Sequence, residues 1–140
     1  MTDEQPRERA GRFTRGHAAL GSPAPDPEIV QERFLDSLEA IDGFLKHAID
    51  GGRERFSRTS PAYAAGCMVL IRTAALFETE EFAAYLSEVP PQVVAGIKVT
   101  RNIASHSGYR SMNDDVFWTT LTVHLPPYLA AWRRVATAEQ

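Results

Sequence analysis

A single cysteine, Cys67, in 140 residues excludes an internal disulfide framework and any multi-cysteine zinc site. Long hydrophobic runs are also missing. The longest uncharged, apolar-leaning stretch, Thr59 to Ile71, falls well short of the roughly 20 residues a spanning helix needs. The charged N-terminus lacks an apolar core, so no secretory signal is expected and a cytoplasmic location follows. Neither sign of charge dominates. With 15 Lys+Arg against 18 Asp+Glu, the net charge of −3 argues against broad, charge-driven nucleic-acid binding and leaves room for a local basic site. No strand alternation, hairpin dipeptide or internal repeat is visible. There is no glycine-rich phosphate loop and no nucleophile elbow.

What remains is a chain that is 44% hydrophobic and 24% charged, an ordinary balance for one folded domain. Residues 1 to 25 read as a flexible tail, basic through Arg7, Arg9, Arg12 and Arg15 and ending in Gly21-Ser22-Pro23-Ala24-Pro25. The folded domain spans residues 26 to 138. Asp26-Pro27 is a cap-and-proline helix start, and Val30, Phe34, Leu38, Ile41, Leu45 and Ala48 trace one helical stripe up to Gly51-Gly52. Ser60-Pro61 repeats the start. Tyr63, Cys67, Leu70 or Ile71, Ala74 and Phe77 follow it. Thr79 with Glu80, Glu81 and Phe82 reads as a new start or a continuation, ending near Leu86, and Pro90-Pro91 interrupts any helix. A further helix runs from Pro91 to about Ser107-Gly108, with Val93, Ile97, Thr100 and Ala104 on its more apolar side. Asn113-Asp114-Asp115 caps the next, which carries Phe117, Leu121 and Leu125. Pro126-Pro127 is expected to kink or break it before Leu129 and Trp132. The fold class expected is all-α, an up-and-down bundle of four to five helices.

Few residues carry chemistry. His17, His47 and His124 have no second histidine or carboxylate at a metal-binding spacing, so neither a metal nor a cofactor is expected. Cys67 sits on an apolar stripe as a core residue. The exception is the stretch from Thr100 to Tyr109, where Arg101, His106 and Tyr109 crowd the end of a helix. An imidazole with an ordinary pKa near about 6.5 can take a proton from a ribose 2′-hydroxyl or give one to a leaving 5′-oxygen. A guanidinium can hold phosphoryl oxygens through paired hydrogen bonds. Five residues along an ideal helix rotate by about 500°, or about 140° net, so Arg101 and His106 do not share one helical face. Either the helix ends before His106, or a second copy of the chain completes the site across a two-fold axis. On spacing alone, the plainer reading makes Arg101 a surface cation and His106 a partner of the helix dipole.

The segment Arg101, Asn102, His106 and Tyr109 resembles the motif of the HEPN superfamily, and within it the HepT-like toxins of HepT/MntA-type toxin–antitoxin systems. The resemblance extends to Met112 through Trp118 and to Leu125-Pro126-Pro127-Tyr128-Leu129, and covers roughly residues 97 to 132. The chain departs from the pattern in one respect: Ser107 and Gly108 both intervene before Tyr109, where the family has one residue. The resemblance implies a HEPN-like bundle that dimerises and pairs two motifs in one cleft. It implies a metal-independent endoribonuclease toxin of a type VII-like pair, cutting RNA, possibly tRNA, by 2′-hydroxyl attack. Arg101 is then the phosphate clamp, His106 the general acid or base, and Asn102 the residue that orients the arginine or the substrate. The implied partner is an MntA-like nucleotidyltransferase antitoxin, with Tyr109 the candidate acceptor of AMP. The alternative is a non-catalytic helical partner of a nucleotidyltransferase, which the acidic net charge and the displaced Tyr109 favour. A bundle with a small ligand between its helices is a third class, supported by general precedent alone.

Overall fold

The structure is a computed structural model and describes residues 25–106 and 112–138. The tail reading, which concerns residues 1–24 almost entirely, and the turn at Ser107-Gly108 fall outside those residues, as does Tyr109. The first helix, α1 (Pro27–Ile49), begins where the cap predicts: Asp26 Oδ1 accepts the Glu28 N–H at 2.9 Å. Phe34, Leu38, Ile41, Leu45 and Ala48 of its stripe are buried. Gly52 ends the turn beyond it at φ 83°, a conformation that costs a glycine nothing. Ser60 caps α2 (Pro61–Leu76), its Oγ accepting the Tyr63 N–H at 3.1 Å.

Helix α2 is the centre of the fold. It is buried on more than one face, through Tyr63, Gly66, Cys67, Val69, Leu70, Thr73, Ala74 and Leu76. Phe44 and His47, late in α1, lie beside Pro61, Ala65 and Met68, early in α2, so the two helices run antiparallel. A 3₁₀ segment, Glu80–Tyr85, follows, and brings Phe82 and Tyr85 back onto Phe34 at ring-centroid distances of 5.1 and 4.6 Å. Pro90 and Pro91 then open α3 (Pro91–Ser105). This helix packs mainly on α2, and Ala104 is its single buried residue.

Asn113 caps α4 (Asp114–Thr119), its Oδ1 accepting the N–H groups of Asp115 and Val116 at 3.0 and 3.1 Å. The expected break at Pro126-Pro127 does not occur. The chain passes from α4 through a π turn, Thr120–His124, directly into α5 (Leu125–Ala138). Two adjacent prolines remove two N–H donors and press their rings on carbonyls four residues back. The wider turn just before them relieves that crowding, with the Leu125 N–H reaching the Thr120 carbonyl. Helix α5 lies antiparallel to α1: Gln31, early in α1, donates to the Ala136 carbonyl at 2.7 Å, and Asp42 pairs with Arg133.

The core is continuous. Phe56, fully buried, stands 5.0 to 5.2 Å from the rings of Tyr63, Phe117 and Trp118. Trp132 bridges Phe77 and Tyr128 at its other end. Gly66 lets α2 approach this aromatic cluster: a Cβ there would meet Leu121 Cδ1 at 2.9 Å and Phe117 and Phe56 at 3.1 Å. Cys67 lies in the same interior at 5% exposure. The protein is thus an all-α bundle, and among the described residues no helix is long and apolar enough to cross a membrane.

Candidate functional site

The site is built at the end of α3. Arg101 projects from the last turns of that helix, and its side chain is 23% exposed. Its Nε donates to Asn102 Oδ1 at 2.8 Å, and its Nη1 donates to Glu78 Oε2 at 2.7 Å. The guanidinium is therefore held in place by one neutral and one anionic acceptor. The contact between Arg101 and Asn102 brings two of the four motif residues together. Glu78, from the turn after α2 and just before the Thr79 start, is a third member.

His106 sits one residue past the end of α3. Its N–H still bonds to the Asn102 carbonyl at 3.0 Å, but its backbone is extended at φ −130° and ψ 169°. Of the two resolutions of the helical-phase problem, the first holds: the helix stops at Ser105. The imidazole is exposed and makes no hydrogen bond to Arg101 or to any other described side chain. Within one chain, then, the cation is held and partly covered, while the imidazole stands open to solvent at the same helix end.

Met112 and the start of α4 are anchored by a charged network. Arg58 Nη2 donates to the carbonyl of the buried Met112 at 2.6 Å, and its Nε faces both Asp114 oxygens at 3.4 Å. Arg53 donates to Asp115 Oδ1 at 2.8 Å and to the Phe56 carbonyl at 3.1 Å. Tyr63 OH donates to Asp114 Oδ1 at 2.9 Å from a ring with no exposure. Burial, and then the hydrogen bond to the Asp114 carboxylate, push this phenol well above the usual tyrosine range. Arg53 and Arg58, in the connection between α1 and α2, thus fix the start of α4.

Of the other described histidines, neither His47 nor His124 makes a hydrogen bond to Arg101, Asn102 or His106. His47 lies exposed in the last turn of α1, where a cation suits the dipole, and His124 lies exposed in the π turn. Among the described residues no three histidine, cysteine, aspartate or glutamate side chains converge as a metal ion would require. Beside the site, Val93, Ile97, Thr100, His124 and Tyr128 line an apolar groove between α3 and the α4–α5 helix. Compared with family models, with curated proteins and with solved structures, the chain returns no match.

Proposed function

We propose that the chain is a metal-independent endoribonuclease of the HEPN superfamily, a HepT-like toxin working in the cytoplasm against RNA. The observation that carries this reading is the held guanidinium. Arg101 is held by Asn102 Oδ1 at 2.8 Å and by Glu78 Oε2 at 2.7 Å, five positions before an exposed imidazole that stands where the backbone leaves the helix. Immobilising the cation in advance lowers the cost of ordering it on a phosphodiester. In this reading Arg101 takes the phosphoryl oxygens and stabilises the charge that builds on them. His106, reached by solvent and substrate, moves the proton at the 2′-hydroxyl or at the leaving 5′-oxygen. A second copy of the chain supplies the complementary Arg101 and His106 across a two-fold axis, so a homodimer is the active unit. A nucleotidyltransferase of the MntA type is its antitoxin, with Tyr109 as the candidate AMP acceptor.

The test is cleavage of total RNA or tRNA by the full-length protein beside Arg101→Ala and His106→Ala, with cyclic-phosphate ends scored on the products. Loss of cleavage in both variants, with their folding intact, supports the reading. Equal cleavage by wild type and His106→Ala ends it.

A second reading has an observation of its own. Val99, Val116 and Val123 are 58%, 60% and 57% exposed, on the helical segments that also line the apolar groove. A non-catalytic helical partner of a nucleotidyltransferase would use such a surface for docking. Copurification with a nucleotidyltransferase, combined with no RNA cleavage by the free protein, selects this reading over the first.

A further inference from the structure

The guanidinium of Arg101 is engaged on both of its forked edges. An arginine grips a phosphate best through two parallel N–H groups, either Nε with Nη2 or Nη1 with Nη2. Asn102 holds Nε, and Glu78 holds Nη1. Each edge has lost one of its two donors, so a phosphate can gain a complete edge only by displacing one of these acceptors. The two are not equivalent. Asn102 is the next residue in the chain and presents a neutral oxygen, which a phosphate tolerates nearby. Glu78 presents a full negative charge at 2.7 Å, which a phosphate does not.

The surroundings of Glu78 allow it to leave. It lies in the turn between α2 and the 3₁₀ segment, with its side chain 46% exposed. Its backbone N–H is bonded to the Ala75 carbonyl at 3.1 Å, and its carboxylate has no hydrogen-bond partner but Arg101 among the described residues. Rotating the side chain into water breaks one contact and leaves the backbone in place. Its acidic neighbours are engaged differently: Glu81 pairs with Arg33 at 2.9 Å, and Glu80 is exposed.

We propose that Glu78 is an internal stand-in for phosphate: it occupies the anion seat of Arg101 in the free protein and yields that seat when a phosphodiester binds. The carboxylate stores the cation in a paired state and sets a threshold that an incoming anion must exceed. Isolated monoanions compete poorly, whereas a polyanion anchored by neighbouring contacts displaces the carboxylate. The exchange itself is a property of the Arg101–Glu78 pair. That the displacing anion is RNA rests on the nuclease reading above.

The experiment measures anion binding and cleavage separately on the full chain. Affinities for inorganic phosphate and for an RNA dinucleotide made uncleavable by 2′-O-methylation are determined by calorimetry at low salt. The proteins are wild type, Glu78→Gln, Arg101→Ala, the double variant, and Glu80→Gln as a control for net charge. A half-exposed ion pair of this kind is worth up to about 1 kcal/mol, or about fivefold in affinity. Glu78→Gln is therefore expected to bind both probes about two- to fivefold tighter. Glu80→Gln should not change binding, and Arg101→Ala should cancel the gain. Unchanged, weaker or unmeasurable binding by Glu78→Gln overturns the proposal, as does an equal gain in Glu80→Gln. Cleavage of RNA is scored in parallel. If no protein cleaves, the nuclease reading fails while the order of phosphate affinities still decides the role of Glu78.

Discussion

The buried phenol of Tyr63 makes a stability prediction with a defined sign. Its ring has no exposure and its hydroxyl donates to Asp114 Oδ1 at 2.9 Å. Hydrogen bonds to charged groups are worth about 1.5–3 kcal/mol, but Asp114 retains Arg58 and some solvent after the hydroxyl is removed. Tyr63→Phe should therefore cost about 1–2 kcal/mol at pH 8. The folded protein holds this phenol protonated above its ordinary pKa, because burial and the Asp114 hydrogen bond both disfavour the phenolate. Stability from this source is fully present below the unfolded pKa of about 10 and is lost as pH rises above it, since the unfolded chain releases a proton that the folded chain keeps. One unit above that value, near pH 11, the loss is about 1.4 kcal/mol in the wild type and absent in the variant. The gap between the two proteins should therefore close, wholly or nearly so, between pH 8 and pH 11. Urea unfolding followed by circular dichroism at both pH values reads the gap directly. A gap that stays constant across that range refutes the account of Tyr63.

Other substitutions test the core and the site. Among the described residues Thr73 Oγ1 is buried without a hydrogen-bond partner, so Thr73→Val should stabilise the protein by about 1 kcal/mol, raising Tm by a few degrees; a fall in Tm refutes this. Gly66→Ala gains about 1 kcal/mol of helix propensity and incurs about 1–3 kcal/mol of overpacking against Leu121, Phe117 and Phe56, so calorimetry should find a net loss near 1 kcal/mol rather than a gain. Arg101→Lys should lose at least tenfold in RNA cleavage, because an ammonium cannot bond through a fork; retention of wild-type rate would reduce Arg101 to a point charge.

Much of this fold is legible in residue spacing, and the exceptions have physical causes. The α1 stripe reads cleanly because that helix buries one face, and the caps at Asp26, Ser60 and Asn113 are local signals. Helix α2 reads as one stripe yet buries more than that. Gly66, Val69 and Thr73 are interior because neighbours approach from several sides, and no local pattern reports such neighbours. The π turn was hidden by the prolines, which suggest a break. Its trace is the spacing Phe117, Leu121, Leu125, Leu129, since steps of four in a regular helix drift by about 40° each and a wider turn absorbs the drift. At the site, Arg101, Asn102 and His106 fall at a helix end as their motif implies. Glu78 did not stand out, because an acid just before a Thr cap has a sufficient local explanation and its ion pair joins residues far apart in the chain. The same holds for Arg53 and Arg58, whose partners Asp115 and Asp114 also look locally explained as first-turn acids.

The solitary Cys67 gives the protein a built-in clock. The chain has no other thiol, and this one lies on α2 beside Gly66, at 5% exposure. A thiol reagent in water reaches it when the helices part, so the labelling rate is the intrinsic thiol rate scaled by the population of opened molecules. Ligands, partner proteins and substitutions can then be ranked by how far they slow or hasten a single chemical reaction, with no probe engineered into the chain.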